Sequence, residues 1–195
     1  VAKPFAERLA RAHDLIRKAA TKDALTIYEG VGWLSDGHLL VADSIALGAL
    51  TASREPTASV IRRHLAMTKR HRTVDASVLR QFAVRATSRI PGGSPNANAG
   101  LWRGVIPVRI GPALINPRLL YFALAASLPS EDITIEVAND WEAPVIIYGE
   151  KGGWTALIMS LRPDPPFPLI TEGFPNDSFV TIKRVRKAKL IAEVA

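Results

Sequence analysis

Apolar and polar positions recur with two different periods along this chain, and each change of period marks a new element. From Phe5 to about Thr21, residues Phe5, Leu9, Ala12 and Ile16 fall on one stripe at helical spacing and predict an amphipathic helix. Leu25 to Leu34 and His38 to Leu47 are two apolar runs separated by Ser35-Asp36-Gly37, the signature of a hairpin. Ser59 to Arg72, with Val60, Ile61, Leu65 and Met67, and Asp75 to Ile90, with Val78, Leu79, Phe82 and Ala86, return to helical spacing. PGGSPNANAG, residues 91–100, reads as a connection, and Leu101 to Ile110 as a strand that Pro107 confines to an edge or a bulge.

Asn116-Pro117 then suit an N-cap and first helical position, with Leu119, Leu120, Ala123 and Leu124 supplying the apolar face and Pro129-Ser130 the stop. Three strands follow. Ile133, Ile135 and Val137 alternate with Thr134 and Glu136, the pattern of a sheet wet on one side, and Pro144 to Tyr148 and Trp154 to Leu161 continue an antiparallel meander. The expected class is α+β. Beyond Arg162 the chain is proline-rich; Ser178 to Val185 offers one more strand, and Lys183, Arg184, Arg186, Lys187 and Lys189 a basic close.

Composition changes the picture in three ways. With 48% apolar residues among 195, the chain has ample material for a core, and with no cysteine it has no disulfide, thiol chemistry or Cys-type zinc site. The lack of disulfides suits the cytoplasm. No apolar run reaches the roughly 20 residues of a spanning helix, and Val1 to Ala20 is charged throughout rather than built like a signal peptide, so no membrane partner is expected. Twenty-five Lys and Arg against 18 Asp and Glu give a net charge of +7, which favours polyanionic partners.

Two sets of cations carry that expectation. Arg8, Arg11, Lys18 and Lys22 share one arc of the first helix, so an apolar face would anchor it while a cationic edge looks outward. Arg62, Arg63, Lys69, Arg70 and Arg72, with His64 and His71, form the densest positive cluster. They read either as a grip on phosphates or as a solvated basic loop. The helices on either side also fit a helix-turn-helix loosely, which gives an alternative function: a DNA-binding regulator or replication accessory reading DNA with residues 59–90.

Four segments in order resemble a domain of the bacterial sliding clamp, the beta subunit of DNA polymerase III. They are Asn116-Pro-Arg-Leu-Leu-Tyr-Phe-Ala-Leu124, Asp132-Ile-Thr-Ile-Glu136, Ala143-Pro-Val-Ile-Ile147 and Ala156-Leu-Ile-Met-Ser-Leu-Arg162. The family patterns are N-x-x-Y-L-L-x-A-L, L-x-x-x-E-V-x-I-x, S-P-V-x-I and Y-x-L-M-P-M-R-L. Ser160 stands for the family's proline, Leu161 for its second methionine and Pro163 for its final leucine. Val41-Ala42-Asp43 resembles the family's V-A-T-D strand end. In a competing register, S-D-G-H-L-L-V-A resembles T-D-G-H-R-L-A of the family's second domain, with Leu39 in place of the arginine.

The resemblance implies a clamp-like domain over residues 1–162, two helices packed on an antiparallel sheet, with a basic helical insertion at about 51–100. Residues 163–195 would be a proline-rich connection and basic tail. It further implies a non-enzymatic processivity or tethering factor in DNA replication or repair, a homo-oligomer around double-stranded DNA, with the basic helix face toward the phosphates. Val145, Met159, Leu161 and Arg162 correspond to family positions that receive a short linear motif of a polymerase or repair protein.

Enzymatic chemistry finds no residues to carry it. His13, His38, His64 and His71 lack metal-site spacing, Gly149-Glu-Lys-Gly-Gly153 lacks the Lys-Ser/Thr ending of a phosphate loop, and no G-x-S-x-G occurs. No cofactor and no metal are expected.

Overall fold

The structure, a computed structural model, describes residues 3–54, 56–67, 69–88, 105–149, 151, 153–162, 173–174 and 178–181. The expected linker at 91–100, the PDPPFP stretch and the basic close after 181 lie outside these residues.

Helix α1 (Phe5–Asp23) buries Leu9, Ala12, Ile16 and Ala19, the stripe set by its 3.6-residue period. It ends where Ala24 turns left-handed, at φ 54°, and returns its N–H to the Ala20 carbonyl. Strands β1 (Tyr28–Gly30), β2 (Trp33–Ser35) and β3 (Leu39–Asp43) form an antiparallel meander. The Asp36-Gly37 turn is as expected. Asp36 Oδ1 accepts the N–H groups of His38 and Leu39, both at 2.8 Å, and Gly37 supplies φ +86°.

The second run departs from expectation at Asp43. Instead of continuing as strand to Leu47, the chain enters helix α2 (Ser44–Ala52), because the Asp43 carboxylate caps it by accepting the Ala46 N–H at 2.6 Å. Such a cap is worth about 1 kcal/mol. Helix α3 (Pro56–Ala66) follows, and it stops six residues short of the expected Arg72. Lys69–Asp75 is strand β4, and Ala76–Ser88 is helix α4.

That strand corrects the reading of 51–100 as an insertion. β4 pairs antiparallel with β7 (Asp132–Ala138) over its whole length, from Lys69 opposite Ala138 to Asp75 opposite Asp132, and α4 adds Leu79, Phe82, Ala83 and Ala86 to the main core. Removing the segment would strip a sheet strand. A small hairpin of β5 (Val108–Ile110) and β6 (Ala113–Ile115), turning at Gly111, leads into α5 (Pro117–Ala123). Gly111 sits at φ 58° with Val137 Cγ2 2.9 Å from where a Cβ would stand. Asn116 caps α5 as predicted, accepting the Arg118 N–H at 3.0 Å, and a 3-10 turn at Leu124–Ala126 extends the helix.

Strands β8 (Val145–Gly149) and β9 (Trp154–Ile158) complete the meander, with β10 (Gly173–Phe174) beside β5 and β11 (Val180–Thr181) beside β4. Among the described residues the main sheet has eight strands in the order β1-β2-β3-β9-β8-β7-β4-β11. β3 and β9 join the early and late parts of the chain, pairing all five residues from Leu39–Ile158 to Asp43–Trp154.

Alternation along β3 divides two cores. Leu39 and Val41 face the larger core under α1, α4 and α5, whereas Leu40 faces a second cluster with Leu50, Ile61, Ile146 and Leu157 under α2 and α3. The fold is α+β, but helices cover both faces rather than two helices covering one. Thr134, expected to be wet, is consequently only 6% exposed.

Candidate nucleic-acid interface

The cationic edge of α1 survives in part. Arg11, Lys18 and Lys22 are exposed, with Lys18 paired to Asp14 at 2.7 Å across one helical turn, an exposed pair of small energetic weight. Arg8 is a correction. It lies at the border of the arc nearest the core, is 9% exposed, and donates Nε to the Ala126 carbonyl at 3.1 Å while its guanidinium covers the Phe5 ring at 5.6 Å. Its role is to hold the end of the α5 extension.

Arg80 of α4 does the same from the other side, donating to the Leu124 carbonyl at 2.9 Å and to Ser127 Oγ at 2.7 Å. Two arginines from flanking helices thus meet the negative, carbonyl-bearing end of α5 and its extension. Burial lowers the Arg80 pKa; the neighbouring Arg11 charge acts in the same direction, and Tyr121 and Glu131 oppose it. The result is a cleft of about 260 Å³ containing Lys3, Arg8, Arg11 and Arg80. Sequence reasoning missed Arg80 and Lys3. The one available signal was a cation at the rim of the Leu79–Phe82 apolar stripe.

The second cationic set does not form one surface. Arg62 and Arg63 are exposed on α3, and Arg62 donates to the carbonyls of Thr51 and Ser53 at 2.9 and 3.2 Å, tying α3 to the end of α2. Lys69 is a second correction: it is 7% exposed, donates to the Leu65 carbonyl at 2.7 Å and pairs with Glu136 at 3.5 Å. Arg70 and Arg72 are half-buried on β4, Arg72 lying over the Phe174 ring at 4.8 Å. The helix-turn-helix is overturned as well. A seven-residue strand separates α3 from α4, and the two pack on opposite faces of the sheet.

The expected peptide cleft is also rearranged. Val145 is 1% exposed within the main core, opposite Ile158, and so is removed from any cleft. Leu161 is half-buried with its N–H on the Leu114 carbonyl at 2.7 Å, and Arg162 is exposed. Met159 alone of the four enters a groove of about 510 Å³, where it meets Val60, Arg63 and Met67 of the α3 region and Asp140, Glu142 and Ala143 of the β7–β8 loop. His64 lines the same groove with its pKa lowered, chiefly by burial and then by Arg63 and Lys69, against Asp140.

His13 belongs to the scaffold. Its Nε2 is 3.0 Å from the Val41 carbonyl, so this nitrogen carries the proton and donates. Burial lowers its pKa below 6.5, and the bond to Val41 partly offsets that. Among the described residues no group of three or more His, Asp or Glu is placed to hold a metal ion, and no helix is long and apolar enough to cross a membrane. Compared with protein-family models, curated proteins and solved structures, the chain matches none.

Proposed function

We propose that this chain is a sliding-clamp-like, DNA-associated tethering factor, non-enzymatic and acting in the cytoplasm as a homo-oligomer around duplex DNA in replication or repair. One observation carries the reading. The early and late segments close into a single sheet through β3 and β9, and α1 lies on its face with Arg11, Lys18 and Lys22 directed outward. A cationic helix row on a rigid sheet suits a phosphate backbone that is held without base readout. Exposed β1 at one edge of the sheet offers unpaired backbone groups through which copies would associate. The groove at Met159, lined by apolar Val60, Met67 and Ala143 together with charged Arg63, Asp140 and Glu142, is the place for a partner's short linear motif.

The test is the salt dependence of duplex affinity. Each phosphate contact contributes about 0.9 to the slope of log K against log salt. Converting Arg11, Lys18 and Lys22 to glutamine should therefore flatten the slope by roughly 2 to 3 units. An unchanged slope removes α1 from the DNA surface.

A further inference from the structure

We infer that the cleft between α1, α4 and the end of α5 is a binding site for a phosphate group, engaged by Arg11 and Arg80 with Lys3, Arg8, Tyr121 and Ser127 around it. Four cations converge there from the segment before α1, from α1 itself and from α4. Only Lys3 has a carboxylate partner among the described residues, Glu7 at 3.3 Å, and that pair is exposed. Arg8, Arg11 and Arg80 have no carboxylate within ion-pair distance among the described residues, and Glu131 acts on Arg80 only through space.

Arg8 and Arg80 are held rigidly. Their bonds to the carbonyls of Ala126 and Leu124 fix both guanidinium groups but neutralise neither, since a carbonyl carries no net charge. A guanidinium has five N–H donors. Those bonds, with the ones from Arg8 to the Lys3 carbonyl and from Arg80 to Ser127 Oγ, leave donors on both side chains for a ligand. Arg11 adds a whole guanidinium with no ion-pair partner among the described residues, close enough to Arg80 for the two charges to oppose each other. Bringing like charges into a partly desolvated cleft costs free energy that a bound anion returns.

The donor set selects the anion. Forked guanidiniums match the oxygens of a phosphate in pairs, and Tyr121 lines the cleft beside them, while Ser127 Oγ, which accepts from Arg80 and donates to the Leu124 carbonyl, serves to fix Arg80. A phosphate also brings more charge than a single carboxylate to a site with this surplus. The buried acid nearby, Glu131, is anchored through Oε1, which accepts the Leu128 N–H at 2.7 Å and Trp154 Nε1–H at 3.1 Å, and it offsets only part of the surplus by acting on Arg80 through space.

The phosphate belongs either to a nucleic-acid backbone or to a free phosphorylated molecule. The inference rests on the proposed function only in the first case. The experiment is calorimetric titration with inorganic pyrophosphate, beside anisotropy of a short labelled duplex at one fixed salt concentration. Wild type, Arg11→Gln and the pair Lys18→Gln/Lys22→Gln are compared. Arg11 is exposed, so its replacement leaves the fold intact.

Saturable pyrophosphate binding that weakens about tenfold in Arg11→Gln, and is unchanged in the lysine pair, supports the site. If pyrophosphate also displaces the duplex, the backbone is the source. If duplex affinity responds to the lysine pair but not to Arg11→Gln, a free phosphorylated ligand is the source and the proposed function stands. Pyrophosphate binding with no duplex binding by any variant overturns the proposed function and keeps the site. No saturable binding by wild type, or equal binding by Arg11→Gln, overturns the inference.

Discussion

Replacing Trp154 with alanine is expected to destabilise the fold by about 3–5 kcal/mol, the cost of deleting a large core aromatic and leaving a cavity. Trp154 is 1% exposed and stands where three parts of the molecule meet. It opens β9 opposite Asp43 of β3 and Gly149 of β8, and its Nε1–H is bonded to Glu131. The loss is a large share of the roughly 5–15 kcal/mol that holds a domain folded. Trp154→Phe separates the two contributions. It keeps most of the packing but strips one donor from a glutamate that is 1% exposed, for an expected loss of about 1–3 kcal/mol. Urea midpoints read both. An alanine variant within about 1 kcal/mol of wild type would show that the β3–β9 seam does not hold the two halves together.

The second large effect is at Lys69 and Glu136. Their side chains are 6% and 17% exposed, the carboxylate also accepts the Tyr148 hydroxyl at 3.3 Å, and Lys69 is bonded to the end of α3. Lys69→Met should cost about 3 kcal/mol, mostly because Glu136 is left charged and unpaired under the α2–α3 layer. Lys69→Met with Glu136→Leu should recover most of that loss, since apolar replacements of a buried pair are often neutral or better. Thermal unfolding of the two variants decides it. If the double variant is as unstable as the single, the pair contributes more than the desolvation argument allows. A Lys69→Met variant with wild-type stability would make Lys69 a surface cation after all.

Much of the architecture was legible in local pattern. The α1 stripe, the Asp36-Gly37 turn, the Asn116-Pro117 helix start and the alternation of β7 each depend on residues within one element, and each is where its pattern put it. β4 was not legible. Lys69, Arg70, His71 and Arg72 carry no apolar alternation, and what makes them a strand is seven-residue pairing with β7, whose residues lie far along the chain, from Ala138 opposite Lys69 to Asp132 opposite Asp75. Asp43-Ser44 was a cap signal inside an apolar run, and the apolar run was the louder of the two.

The candidate site divides along the same line. Helical periodicity placed Arg8, Arg11, Lys18 and Lys22 on one arc, and that arc is real. It could not show that the Ala126 carbonyl, 118 positions on, would take Arg8 out of solution, nor that Arg80 would arrive beside Arg11. Local spacing gives the direction of a side chain; the partner that satisfies or frustrates its charge is a property of the closed fold.

A tether that encircles DNA differs from any protein that merely binds phosphates in how its grip depends on DNA topology. The direct measurement is retention of the chain on a closed circular duplex during gel filtration, before and after a single restriction cut, at a salt concentration that suppresses simple electrostatic binding. The account predicts co-elution with the circle and release on linearisation. Equal retention on both forms, or on neither, would contradict it.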